Sequence, residues 1–193
     1  GLAMLVEVGE WHALCDMGAS DAFIHNADAL ACNLSRLNAA ILSHGHADHT
    51  GGLQAFLSAN TSTSVWLSSH IKGLACYSSR RGSLNDISTD NALFERYPER
   101  FRWVDDSCWI TPSVALIKAA TTTFPLPQGN RFLTATKAGE SGYDDFSHEL
   151  SLAITTPQGL VIISACSHKG ALNIIQDCIA FTGEHRVKAF VGG

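Results

Sequence analysis

The chain has 193 residues, 46% of them apolar, with a formal net charge of −5. That is enough chain for one domain with a real core, and no apolar run approaches the length of a membrane span. The acidic balance and the lack of a basic stripe argue against a general binder of nucleic acid or anionic lipid, so neither is an expected partner.

The cysteines, Cys15, Cys32, Cys76, Cys108, Cys166 and Cys178, include no Cys-x-x-Cys pair, which excludes a zinc ribbon or a thioredoxin motif. Several sit inside apolar runs and no export signal is visible, so free thiols in a reducing cytoplasm are the expectation. The first residue is Gly rather than Met, which reads as a portion of a longer chain.

In chain order, Leu2–Val8 and His12–Cys15 read as strands of a hairpin joined by "GEW". Asp21–Ala31 has helical spacing of Phe23, Ala27 and Leu30, with Ser20 as the expected N-cap. Ala39–Ser43 is a short buried strand; "LQAFLSA" from Leu53 is a helix, and Ser64–Leu67 another strand. Residues 69–106 are polar and irregular, with a helix around Asn91–Tyr97, and read as an insertion or lid. Within them "SSRRG", Ser78–Gly82, is a local basic cluster read first as solvated loop charge, with a substrate anion as the lesser reading. Trp109–Ala119, His148–Thr156 and Leu160–Ser164 are strands, Lys169–Phe181 a helix stopped by Gly183, and Val187–Val191 a closing strand. The pattern predicts one domain, residues 1–193, of a layered α/β or α+β fold.

Between the strand ending at Ser43 and the helix beginning at Leu53 lies "SHGHADHTGG". Side chains two apart in an extended chain face the same way, so His44 and His46 can approach one cation together. Asp48 and His49 follow a turn and can reach a second position. Imidazole nitrogen and carboxylate oxygen suit zinc, with iron or manganese as alternatives. Gly45, Gly51 and Gly52 are expected to let the backbone bend tightly there. His168 leaves an apolar strand at the entrance of a helix, where a side chain meets an active-site rim. His12, His25, His70 and His185 have no ligand spacing, and the tryptophans are too scattered for a stacking platform.

"SHGHADHTGG" resembles the signature of the metallo-β-lactamase superfamily. "LCDMGASDAFIHNADAL", "DDFSHELSLAI" and "GLVIISACSHKGALNII" extend the resemblance to the branch of dihydropterin–aminobenzene-ribofuranosyl-phosphate synthase-like metallohydrolases. The resemblance implies a four-layer αβ/βα sandwich whose extreme termini lie outside this sequence, binding one or two divalent ions at one rim. It implies His44, His46 and His168 on a first metal and Asp48 and His49 on a second, with Asp48 and His168 as the catalytic pair. It also implies that Asp16 supports the metal loop; a turn aspartate before Gly18 is the equal alternative. Of His148 and Glu149, which point to opposite faces of a strand, it favours Glu149 as a further ligand. Two departures stand out. Where many dinuclear members place a bridging aspartate, this chain has Ala165, Cys166 and Ser167, and Cys166 reads as a small buried residue. The branch usually continues "GGFH" where this sequence ends at Gly193. The implied function is a metal-dependent hydrolase of a phosphate- or ester-containing small molecule. A pterin-related transferase is the first alternative, and a diiron redox or non-catalytic metal-binding module the next.

Overall fold

The computed structural model describes residues Gly1–Gly193. Its elements are β1 (Met4–Val8), β2 (Trp11–Cys15), α1 (Ala22–Ala29), β3 (Ala39–Ile41), α2 (Ala47–Thr50), α3 (Leu53–Ala59), β4 (Val65–Ser68), β5 (Leu74–Ser78), β6 (Asn85–Asp86), α4 (Ala92–Arg96), β7 (Phe101–Val104), β8 (Cys108–Thr111), β9 (Val114–Lys118), β10 (Leu133–Lys137), β11 (Glu140–Tyr143), β12 (Leu150–Thr156), β13 (Gly159–Ser164), α5 (Ala171–Thr182) and β14 (Val187–Gly192). They form three sheets, ordered β1-β2-β3-β4-β7, β14-β13-β12-β9-β8 and β11-β10-β5-β6.

The first two sheets pack face to face. Val6, Ala13, Cys15, Ala39 and Ile41 from one interlock with Val114, Leu116, Leu150, Leu152 and Ile154 from the other. Their outer faces carry the helices. Leu14, Ala40, Leu42, Val65 and Leu67 pack with Phe23 of α1, Leu53, Phe56 and Leu57 of α3, and Leu93 and Phe94 of α4. Ala115, Ile117, Ala153, Leu160 and Ile162 pack with Ile174 and Cys178 of α5. Helix, sheet, sheet, helix is the four-layer sandwich, in the α/β class, that the resemblance implied. Alternating residues of β9 and β12 fill opposite layers because successive strand side chains point to opposite faces.

Strands β2, β3, β4 and β7 run parallel. Their carboxyl ends therefore open on one rim, the usual place for a site in such a sheet. The third sheet sits against that rim. His46 bridges Ser88, and the Ala47 N–H donates to the Ile87 carbonyl at 2.7 Å. The two large sheets are also tied there, through the Leu150 N–H and the Ser43 carbonyl at 2.7 Å.

Several expectations need correction. Residues 69–106 are not merely irregular: they contain β5, β6, α4 and β7, and β7 pairs with β4 inside the first sheet. Trp109–Ala119 is not one strand but the hairpin β8–β9, turned at Thr111, whose Oγ1 accepts from the N–H groups of Ser113 and Val114. The hairpin β10–β11 was not foreseen. Strand β12 starts at Leu150, so His148 and Glu149 precede it. The Ser20 hydroxyl does accept from the Ala22 N–H, but the residue at the N-cap is Asp21, without a side-chain bond. Gly183 ends α5 as read, in the left-handed conformation with φ 73°. Gly51 and Gly52 serve close packing rather than bending: neither has positive φ, and a Cβ would collide with the carbonyls of Ala19 and Met17.

Candidate metal centre

Loop Leu42–His46 leaves β3 and runs straight into α2, so His44, His46, Asp48 and His49 arrive at the rim within one turn of chain. His168 arrives from the loop between β13 and α5. The rings meet closely: His44 to His46 is 4.6 Å between centroids, His44 to His49 4.4 Å, His44 to His168 5.0 Å, and His46 to His168 4.9 Å. His44, His46 and His168 each offer a donor atom within 4.8 Å of the others; His44, His49 and Cys166 form a second such group, and His46, Cys76, Asp144 and His148 a third.

The hydrogen bonds set the tautomers. Asp16, 1% exposed, accepts from the Ser43 N–H at 2.8 Å, the Ser43 hydroxyl at 2.7 Å and His49 Nδ1 at 2.7 Å. With its proton given to Asp16, the Ser43 hydroxyl accepts from His44 Nδ1 at 2.8 Å. His44 therefore carries its proton on Nδ1. His168 Nδ1 donates to Asn130 Oδ1 at 3.1 Å, and the Asn130 amide is oriented by its own bond to the His168 carbonyl at 2.7 Å. The Nε2 atoms of His44 and His168 are thus bare lone pairs, and both are buried without a partner. Two imidazole lone pairs shut away from water and aimed into one cluster are costly unless a cation takes them. Burial, then His46 and other nearby imidazoles, holds His44 well below its ordinary pKa, and the same causes push His168 down to about 3. Both rings stay neutral, the form that ligates.

At the second position, His49 Nε2 lies 3.1 Å from Cys166 Sγ and 3.3 Å from Asp48 Oδ2. Burial lowers the His49 pKa, but hydrogen bonds with Asp16, Asp48 and Cys166 outweigh it and carry the value up to about 11. Surroundings that favour positive charge on His49 also favour a cation beside it. The Asp48 side chain is 53% exposed, on the cleft side, and its bond to His49 holds it well below the usual carboxylate range.

His148 and Glu149 do something else. His148 Nδ1 accepts from the Gly45 N–H at 3.0 Å, and its Nε2 donates to Asp144 at 3.1 Å. Both nitrogens are used, so this ring is a strut between the histidine loop and Asp144 rather than a free donor. Glu149 Oε1 and Oε2 accept from the N–H groups of His168 and Lys169, each at 2.8 Å. Glu149, favoured in the sequence as a ligand, stands outside all three donor groups and fixes the backbone that presents His168. The two can face different partners around one site because they lie in a loop, with Phe146 just before them at φ 53°. Phe146 stacks on the His168 ring at 4.4 Å and 7° between planes.

The sequence reading missed three residues here. Asp144 takes His148, His46 at 3.4 Å and the Phe146 N–H at 2.8 Å; burial raises its pKa, but the His148 and His46 bonds hold it well below the usual carboxylate range. Asn130 and Ser43 fix ring tautomers, and no spacing announces either. Cys166 is only partly buried and faces His49, which revises the view of it as a core residue. Asp16, left open between two roles, supports the loop. Three non-glycine residues with positive φ, Asp16, Phe146 and Ser167, flank the site.

Comparison with known proteins agrees with this architecture. Residues 1–75 match the family model of the metallo-β-lactamase superfamily. A solved metal-dependent hydrolase of the β-lactamase superfamily superposes with a TM-score of 0.77 at 29% identity, over 94% of this chain and 65% of that one. The chain has the metallo-β-lactamase fold. Its resemblance to that superfamily, first read from "SHGHADHTGG", therefore holds in sequence and in structure. The 7,8-dihydropterin-6-methyl-4-(β-D-ribofuranosyl)-aminobenzene-5′-phosphate synthase of Methanocaldococcus jannaschii is 26% identical over all of this chain and 69% of its own length. A quorum-quenching N-acyl homoserine lactone hydrolase shares the metallo-β-lactamase fold at 15% identity and a TM-score of 0.55, over 97% of this chain and 77% of that one. The chain thus spans about two thirds of the length of its nearer relatives. No helix is long and apolar enough to cross a membrane.

Proposed function

We propose that this chain carries a metal-dependent hydrolase site acting on a phosphate- or ester-containing small molecule. The observation that carries the proposal is the pair of buried, unpartnered Nε2 atoms of His44 and His168 beside His46. A divalent ion there, zinc first, supplies Lewis acidity and a nucleophile from water at neutral pH. His44, His46 and His168 would hold it, their tautomers fixed by Ser43, Asp144 and Asn130. His49, Asp48 and Cys166 offer a second position whose thiol stands where a bridging carboxylate is absent. Asp48, half-exposed and ionised on the cleft side, is the group best placed to accept or pass a proton from a bound substrate. A cleft of about 620 Å³, lined by His46, Asp48, Cys166 and His168, admits a small molecule.

The test is turnover of phosphodiester, phosphomonoester and carboxylic ester substrates with and without chelator. Activity should vanish with chelator, return with zinc, and fall by about two orders of magnitude or more in His46→Ala. Full activity in metal-free protein or in that variant contradicts the proposal. A second reading, a transferase joining a pterin to a phosphoribosyl compound, is favoured by the match of all of this chain to 69% of the M. jannaschii synthase. A chelator-sensitive condensation without hydrolysis of any ester would select it.

A further inference from the structure

Beside the metal-ligand side of that cleft, two arginines stand without partners. Arg80 and Arg81 line it together with His46, Asp48, Cys166 and His168. Neither guanidinium makes an ion pair; the arginine pairing in this structure is Arg186 with Glu184. Their carriage is well defined. They are the two central residues of a turn closed by the Gly82 N–H on the Ser79 carbonyl at 3.0 Å, with Gly82 at φ 82°. The Ser79 N–H and hydroxyl both donate to the Phe132 carbonyl, at 2.9 and 3.2 Å, which clamps the turn to the entry of β10. The Arg80 guanidinium lies against Gly129, where a Cβ would crowd Nη2. Two carboxylates line the same cleft, Asp86, which accepts from the Ser88 N–H, and Asp48, which is engaged with His49; neither forms an ion pair with Arg80 or Arg81. In a chain of net charge −5, two guanidiniums without ion-pair partners stand together on one fixed turn beside the histidine cluster, with their donors free for an anion.

We infer that Arg80 and Arg81 form an anion subsite that grips a phosphoryl group of the substrate while its reacting bond lies at the histidine cluster. The planar guanidinium fork matches phosphate oxygens, and two forks on one turn can share a single dianion. The inference rests on the hydrolase reading for the word substrate, and narrows that substrate to a phosphate-bearing one. The turn is held before the ligand arrives, so little ordering opposes binding.

The test uses phenylphosphonate, a dianion that cannot be hydrolysed, titrated calorimetrically into the zinc-loaded full chain at low salt. The Arg80→Gln/Arg81→Gln double variant should bind at least tenfold more weakly than wild type, and Arg80→Lys/Arg81→Lys should recover part of the loss. Wild type and the glutamine variant binding within twofold of each other, or no binding by wild type, overturns the subsite. In parallel, the preference for bis(p-nitrophenyl) phosphate over p-nitrophenyl acetate, as a ratio of kcat/KM, should fall at least tenfold in the glutamine variant; an unchanged ratio also overturns it. Absence of all chelator-sensitive turnover would contradict the hydrolase reading instead, and the calorimetric comparison would still decide the subsite.

Discussion

Asp16→Asn changes one atom at the base of the centre, and its effect can be worked out. The amide oxygen can keep the bond from the Ser43 N–H. The amide nitrogen then faces two donors, the Ser43 hydroxyl and His49 Nδ1, which the carboxylate accepted at 2.7 Å each. A hydrogen bond to a buried charged acceptor contributes about 1.5–3 kcal/mol, so losing two threatens about 3–6 kcal/mol. The hydroxyl can rotate and recover part, leaving an expected loss of about 2–4 kcal/mol. His49, whose positive charge Asp16 helps to hold, escapes the clash only by releasing its Nδ1 proton and keeping the one on Nε2, the atom facing Cys166 and Asp48. That tautomer cannot ligate, and metal affinity at the second position should fall about 10–100-fold, the usual scale for outer-shell partners. Urea denaturation of the metal-free proteins measures the first effect, and competition with a fluorescent zinc chelator the second. An asparagine variant with unchanged denaturation midpoint and zinc affinity within twofold of wild type would refute the hydrogen-bond assignment.

Further outcomes follow from the same geometry. Asn130→Ala frees the His168 ring to choose either tautomer and should weaken zinc binding about 10–100-fold, read in the same competition assay. Zinc should protect Cys166 from iodoacetamide in peptide mass mapping, while Cys15 and Cys178, buried and with thiols pushed upward by burial, should stay unlabelled with or without metal. Gly183→Ala forces a side chain into the left-handed cap of α5 and should cost about 1 kcal/mol in the denaturation midpoint. Leu116→Ala, at a position with no exposed surface between the two sheets, should cost about 2–5 kcal/mol.

What the sequence made legible was local. The helix Leu53–Ala59 and the hairpin of β1 and β2 follow from short-range periodicity, and both lie where expected. The cluster from His44 to His49 is contiguous, so its convergence needs only one strand end and one turn. His168 was found through the resemblance of "SACSHKG", with its place at the exit of an apolar strand in support. Other features depend on distant partners. Strand β10 carries only a brief alternation, Leu133 and Ala135 with Thr134 and Thr136, too short to mark a strand by itself; β5 and β11 flank it and complete its pairing. Strand β7 sits in a polar stretch and is a strand because β4 offers its edge. Asn130 acts on a histidine 38 residues away and nothing in its own neighbourhood marks it; Asp144 opens the block "DDFSHELSLAI" and bonds His148 four residues on, but its contact with His46, 98 residues back, is not legible there. The choice between His148 and Glu149 was posed as a choice of strand faces, but the strand begins after them, so the premise failed before the residues did.

The central claim is that the Nε2 lone pairs of His44 and His168 close on one cation. Long-range proton–nitrogen NMR of the histidine side chains, with zinc titrated into metal-free protein, tests it atom by atom. The Nε2 resonances of His44 and His168 should move to the metal-bound position together, at the same zinc equivalent, with both Nδ1 atoms still protonated. If either Nε2 stays at its metal-free shift once zinc is saturating, or if a proton is found on it, the two rings do not share an ion and the account of this centre is wrong.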